Sequence, residues 1–287
     1  MIIWIASYPK SGNTWVRSLL SQYYFSKDES FDFSVLKNIP NFNVGDFITK
    51  KEFLKEPMDI PKLWLKIQKY LSLKYKKNLF FKTHHANLSM NDFNFTSKDY
   101  CAGCVYIVRD PRNVITSLKN FENKSYKEIL DAMTDERTHL KGTDYFKNKF
   151  GFDAFEIIGS WSINYTSWVH NKLGIPVCLI RYEDLLNNTL GEFEKIFNFI
   201  KNINNTKNVF FNRERAIKIL EETSFEKLRK KEKNEGFNEN STRPKNVNTQ
   251  FFNMGKENDW KKILPDEIKK KIEETFKKEM KELKYLN

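Results

Sequence analysis

Within its first fifteen residues the chain passes from an apolar run through a short polar loop into a helix, and this passage constrains the fold more than any other stretch. Residues 2–6 are continuously apolar, the pattern of a strand buried on both faces. Tyr8-Pro9 breaks the run, Lys10-Ser11-Gly12 turns the chain, and Trp15, Leu19, Leu20 and Tyr23 recur at helical spacing. A helix N-terminus presents unpaired N–H donors with partial positive charge, and Gly12 lets an anion come close to them. Lys10 adds a mobile charge; Ser11 and Thr14 add hydroxyl donors. The loop is suited to a phosphate. It is not the G-x-x-x-x-G-K-[ST] loop, in which Lys follows the second glycine and Ser/Thr serves magnesium, because here Lys10 precedes the only glycine.

A chain of 287 residues with 40% hydrophobic side chains and 25 Phe fills a sizeable core, and residues 1–287 read as one α/β domain. The net charge of +12 favours acidic partners, among them nucleic acid, an anionic membrane surface or a phosphorylated ligand. Cys101, Cys104 and Cys178 make no paired framework, so the expected setting is the reducing cytoplasm. The Cys101–Cys104 pair has C-x-x-C spacing without a second such pair, and it reads as the entry to a strand. No apolar run reaches the roughly 18 residues that span a bilayer.

Further strand-to-helix junctions follow. The run at 79–84 ends in Lys82-Thr83-His84, ionisable groups at the carboxyl end of a strand, where open parallel sheets bind ligands. The run at 104–108 enters Arg109-Asp110-Pro111, with Asp110 as N-cap and Pro111 at the first helical position. Ser117 lies two turns on, so Arg109 and Ser117 can converge on one anion, the planar Arg fork being suited to phosphate. A fourth strand at 177–180 leads into Tyr182-Glu183-Asp184. The expected fold is a central parallel sheet flanked by helices, a P-loop-like three-layer α/β architecture.

Tyr8-Pro9-Lys10-Ser11-Gly12-Asn13-Thr14-Trp15 resembles the 5′-phosphosulfate loop of sulfotransferases that use 3′-phosphoadenosine 5′-phosphosulfate (PAPS). The run from Val105 through Arg109 to Ser117 resembles the family's 3′-phosphate motif, with the same spacing of eight. The resemblance extends in order from Trp4 to Trp260. It implies a metal-independent sulfotransferase moving the sulfonyl group of PAPS to a hydroxyl or amine of a small-molecule or glycan acceptor, leaving PAP. Lys10, Ser11, Gly12, Asn13, Thr14 and Trp15 would bind the cofactor, Arg109 and Ser117 its 3′-phosphate, and Tyr182, Thr223, Ser224 and Phe225 its adenine end. His84 would be the general base, with Lys82 and Lys10 offsetting charge on the transferring group. His85 competes with His84, and an N-cap at Thr223 paired with Glu226 is an equal reading that can hold together with adenine contact.

The sequence departs from the family in two places. Asn164 stands where Gly-Ser-Trp-x-x-His carries His. The Arg-Lys-Gly segment appears as Asn253-Met254-Gly255, leaving Gly255 in place and Lys256 or Arg243 to replace the missing cations. Residues 26–59 and 121–155 read as acceptor-side insertions and 227–252 as a mobile cover. Thr189 with Glu192 reads as a capping box, and 265–283 as one amphipathic helix docked on the domain. A P-loop-type kinase, a nucleic-acid module and a PAP-binding relative without turnover are the competing readings. Net charge alone favours the second of these. The dimerising Lys-x-x-x-Thr-Val-x-x-x-Glu element of cytosolic relatives is not found after Trp260, and the oligomeric state is open.

Overall fold

Four parallel strands, β1 (Ile2–Ser7), β2 (Leu79–Thr83), β5 (Cys101–Val108) and β8 (Val177–Arg181), form the central sheet in the order β2-β1-β5-β8. The computed structural model describes all residues except 29, 49–53, 142–143, 238–249 and 256–257. The first strand is thus internal, with Ile5 opposite Lys82 on one side and Val105 on the other. Parallel strands need crossovers, so helices cover both faces; the internal β1 and β5 are buried almost throughout, and the edge strands β2 and β8 are half-buried.

Alternation along the strands divides the interior in two. Ile2, Trp4 and Ala6, with Cys104, Tyr106 and Val108, face a core shared with α2 (Asp59–Lys74), α3 (Pro111–Glu122), α4 (Tyr126–Thr134) and α6 (Trp161–Val169). Ile3, Ile5, Val105 and Ile107 face the other way, onto α1 (Asn13–Phe25), α8 (Thr189–Ile203) and α9 (Arg213–Glu222). The indole of Trp4 donates to Thr96, whose hydroxyl donates to Gln68, so the one polar atom of this buried ring is satisfied.

Two small hairpins lie outside the sheet, β3 (Ser89–Met90) with β4 (Phe93–Asn94), and β6 (His139–Lys141) with β7 (Phe155–Ile157). The second hairpin, together with α4 and α5 (Asp144–Phe150), gives regular structure to much of 121–155, where the sequence shows only weak periodicity. After β8 come α7 (Tyr182–Asn187), then α8 and α9, then α10 (Phe225–Glu235), α11 (Trp260–Ile263), α12 (Asp266–Thr275) and α13 (Lys277–Glu282).

Several local expectations are corrected. Asn188, not Thr189, caps α8 by accepting from Gly191 N–H; the Thr189 hydroxyl donates back to Leu185 instead. The terminal amphipathic segment is two helices meeting at Phe276, although Ile272, Phe276, Met280 and Leu283 all stay buried. Within 227–252, the stretch up to Glu235 is helical. Leu228 is buried, and the Glu232 carboxylate accepts from the N–H groups of Phe251 and Phe252. The rest of that stretch, apart from Gly236, Phe237 and Gln250–Phe252, lies outside the described residues. All three cysteines are free and buried, and C-x-x-C lies inside β5.

Candidate functional site

The carboxyl ends of β1, β2 and β5 open onto a cavity of about 1020 Å³. At its floor the first loop turns through two left-handed residues, Lys10 (φ 63°) and Gly12 (φ 101°), before α1 begins. Trp15 and Val16 both donate to Gly12 C=O, so the helical ladder starts there, with the preceding N–H groups at the anion-binding end. A methyl group on Gly12 would sit 2.6 Å from the Tyr182 ring, so glycine is required both by conformation and by that contact. The Lys10 ammonium lies over the rings of Phe121 and Phe251 at 4.1 and 4.2 Å. Asn13 uses its amide on Ile5 C=O and Ser7 Oγ, so its side-chain NH₂ braces the loop and its contribution to an anion is through the backbone.

Arg109 follows β5 and reaches across to the same loop. Its Nη1 donates to Lys10 C=O at 3.0 Å, and its guanidinium lies 4.3 Å from the centre of the Tyr182 ring. Asp110 caps α3 by accepting from Arg112 N–H, with Pro111 at the first helical position, as the sequence predicts. Ser117 lines the cavity with Arg109, Lys10, Gly12, Asn13 and Thr14. Ser11 Oγ and Arg109 Nε are buried donors with no hydrogen-bond partner among the described residues. Unpaired buried donors are costly, and of these two Arg109 lines the cavity, where its Nε fits a phosphate oxygen, whereas Ser11 is fully buried and does not line it.

The two histidines after β2 differ sharply. His84 lines the cavity, and its Nδ1 lies 2.8 Å from Ser7 C=O. A carbonyl only accepts, so Nδ1 carries the proton and Nε2 of the neutral ring keeps its lone pair. His85 is 3% exposed, stacks on Phe95 and accepts from Ile157 N–H, and burial pushes its pKa down to about 3. It is a core histidine. Asn164, the residue that departs from Gly-Ser-Trp-x-x-His, is fully buried; it accepts from Tyr106 OH and donates to His84 C=O and Ile158 C=O. Lys82 lines the cavity, as does Glu156 on β7, a carboxylate that sequence reading missed because its strand has three residues.

At the far end Trp15 and Tyr182 meet edge to face, with centroids 6.0 Å apart. The Phe225 ring lies on Gly255, where a methyl group would come within 2.5 Å of it, and both line the cavity. Thr223 is corrected: it is fully buried, ends α9, and donates to Ile219 C=O, so it neither caps α10 nor lines the cavity. Ser224 is the cap of α10, accepting from Lys227 N–H, and it lines the cavity. Lys256 and Arg243 lie outside the described residues.

Neutral burial of His85 links stability to pH. The unfolded chain protonates this ring below about pH 6.5, whereas the folded state does not until about pH 3. Its contribution is therefore complete at neutral pH and lost as pH falls, by about 1.4 kcal/mol per unit between those values. Urea unfolding at pH 7, 6 and 5 should show this fall, and His85→Gln should flatten it while lowering stability at pH 7.

A model described as "Sulfotransferase domain" matches residues 2–284. Cytosolic sulfotransferase 16 of Arabidopsis thaliana is 27% identical over 95% of this chain and 75% of that protein. Sulfotransferase 1B1 of Canis lupus familiaris is 27% identical over 96% and 82%. Among solved structures, mouse sulfotransferase SULT7A1 complexed with PAP superposes with a TM-score of 0.57 at 16% identity, covering 97% of this chain and 84% of that one. Retinol dehydratase in complex with androsterone and inactive cofactor PAP gives 0.57 at 17%, covering 98% and 80%. With an α/β sheet of the expected design and a family model spanning nearly its whole length, the chain belongs to the sulfotransferase family.

Proposed function

We propose that this chain, a PAPS-dependent sulfotransferase by its family, transfers the sulfonyl group to a hydroxyl or amine of a largely apolar small acceptor, with His84 as general base. PAPS supplies, when bound, a sulfonyl group on an anhydride to a 5′-phosphate, and a 3′-phosphate as a handle. The N–H groups of Gly12, Asn13 and Thr14, with the hydroxyls of Ser11 and Thr14, hold the 5′-phosphate. Arg109 and Ser117 hold the 3′-phosphate, and Trp15, Tyr182 and Phe225 enclose the adenine. Lys10 and Lys82, both in the cavity wall, offset the charge that develops on the leaving oxygen, an electrostatic contribution that is often the largest in such sites. His84 takes the acceptor's proton at Nε2 while Nδ1–H stays on Ser7 C=O.

The observation that carries this reading is the convergence of Lys10, Gly12, Thr14, Arg109 and Ser117 on one cavity wall, with Arg109 Nε buried and unpartnered there. The remaining wall supports the acceptor class. Phe42 and Val44 from 26–59, and Ile129, Met133, Phe146 and Phe155 from 121–155, give it an apolar lining. No helix among the described residues is long and apolar enough to cross a membrane, and the free cysteines suit a cytoplasmic setting. Asn253 and Met254 in place of two cations favour a second reading, a relative that binds PAP without turnover.

Two substitutions test the assignments. Against an acceptor found by screening phenols, alcohols and amines with PAPS, His84→Ala should cut kcat by about 10²–10⁴-fold while PAP binding persists. Near-normal turnover would contradict the base assignment, and a wild-type chain inert to every acceptor would favour the second reading. Arg109→Ala should weaken PAPS about ten- to a hundredfold and adenosine 5′-phosphosulfate, which lacks the 3′ group, far less, since for that ligand only the brace on Lys10 C=O is lost. Equal losses for both, measured by calorimetry, would move the 3′-phosphate elsewhere.

A further inference from the structure

Parallel strands begin at one edge of the sheet, and this edge lies opposite the cavity, which opens at the carboxyl ends. Met1 and residues 75–78 lead into β1 and β2 there, held together by the Leu79 N–H, which donates to Met1 C=O. Helices returning from the cavity side end at the same edge. Phe25, the last residue of α1, packs on Phe80 of β2, with ring centres 5.9 Å apart. Asn204, just past α8, accepts from the Asn78 amide at 2.6 Å. Among the described residues, large apolar side chains stand out from this edge: Leu73 is 73% exposed and Phe210 78%, and Tyr75 and Val209 are exposed beside them in sequence. The loop that carries Phe210 is anchored by Phe211, which stacks on Tyr23 of α1, and the Lys201 ammonium lies 5.0 Å from the centre of the Phe210 ring.

The charge around these side chains has one sign. No Asp or Glu occurs from Ile60 to Asn91, which holds seven lysines, or from Lys195 to Arg213, which holds three. Lys74, Lys76, Lys77 and Lys207 are exposed. Lys98 and Asp99, exposed before β5, offset one another. On α10 and α12, by contrast, lysines pair along the helix, Lys231 with Glu235 and Lys271 with Glu267, as a solvated face does. We propose that the amino edge docks on an anionic lipid bilayer, with Leu73 and Phe210 entering the interface and Lys74, Lys76, Lys77 and Lys207 meeting the headgroups. Apolar tips gain by leaving water, and lysine stems lie along apolar surface while their ammonium groups reach anionic headgroups. A second copy of the chain would set the same lysines against each other. Nucleic acid would match the charge, but Leu73 and Val209 offer its bases no flat ring. Docked this way, the cavity at the opposite edge keeps its mouth toward solvent.

Co-sedimentation of the full chain with vesicles tests this, using phosphatidylcholine alone or with roughly one-third phosphatidylglycerol. Binding to the anionic vesicles should exceed binding to the neutral ones about tenfold or more, and added salt should weaken it. Leu73→Ser combined with Phe210→Ser should lower partitioning onto anionic vesicles about tenfold or more. Lys74→Gln with Lys76→Gln and Lys77→Gln should lower it similarly. PAP-induced thermal stabilisation should be the same in both variants as in the parent chain, since none of these residues lines the cavity. A parent chain that ignores anionic vesicles overturns the proposal. So does an apolar variant that binds them as well as the parent, because charge alone would then account for the binding. Tighter binding to a duplex oligonucleotide than to vesicles would assign the edge to nucleic acid, and self-association abolished by Phe210→Ser would assign it to a second copy; either result also overturns it.

Discussion

Parallel pairing of β1 with both β2 and β5 is the constraint on which everything else depends. Because the three strands run the same way in a fixed register, the residues that leave them emerge on one edge of the sheet. Lys10 to Thr14 follow β1, Lys82 and His84 end β2, and Arg109 follows β5. Nothing in local sequence brings these groups together, since they lie up to a hundred residues apart. The hydrogen bond from Arg109 Nη1 to Lys10 C=O then ties the first loop to the third strand's exit, and the Nδ1 contact of His84 to Ser7 C=O ties it to the second. The groups proposed for the two anion sites and for proton transfer are thereby fixed relative to one another although they come from three separate stretches of chain.

The same edge explains why the site carries unsatisfied donors. The core beneath it holds a paired polar chain: the Trp4 indole reaches Thr96, Thr96 reaches Gln68, and Asn164 accepts one hydrogen bond and gives two. At the loop, Ser11 Oγ and Arg109 Nε stay unpaired. Other buried polar atoms, Trp64 Nε1 and Arg181 Nε among them, also lack a partner, so what singles out Arg109 Nε is its place in the cavity wall beside Lys10, Gly12 and Thr14. The aromatic groups nearby, Trp15, Tyr182 and Phe225, give the same region flat apolar surface suited to a nucleobase.

The parts legible from sequence were those with strong local physics. The internal strands β1 and β5 stood out as continuous apolar runs because both their faces are buried, and the loop and the Arg109–Ser117 segment stood out by residue types and spacing. The Asp110 cap with Pro111 was visible for the same reason. What escaped depended on tertiary choice. Asn188 and Thr189, or Thr223 and Ser224, offer adjacent polar groups of nearly equal capping power, and helix packing selects between them. The break at Phe276 leaves the buried stripe intact, so periodicity does not reveal it. His85 and His84 are neighbours in sequence, yet one is stacked in the core and the other faces the cavity. Glu156 sits in a three-residue strand, too short for any pattern, and only the fold brings it into the cavity wall with His84 and Lys82.

The central claim is that two anion pockets, at the first loop and at the exit of β5, grip opposite ends of one adenosine. The most direct measurement is a crystal structure of the chain with PAP. The account predicts 5′-phosphate oxygens on Ser11 and the N–H groups of Gly12 to Thr14, 3′-phosphate oxygens on Arg109 and Ser117, and adenine against Trp15 and Phe225. A nucleotide bound with only one of those pockets filled, or with its phosphates placed elsewhere, would contradict it.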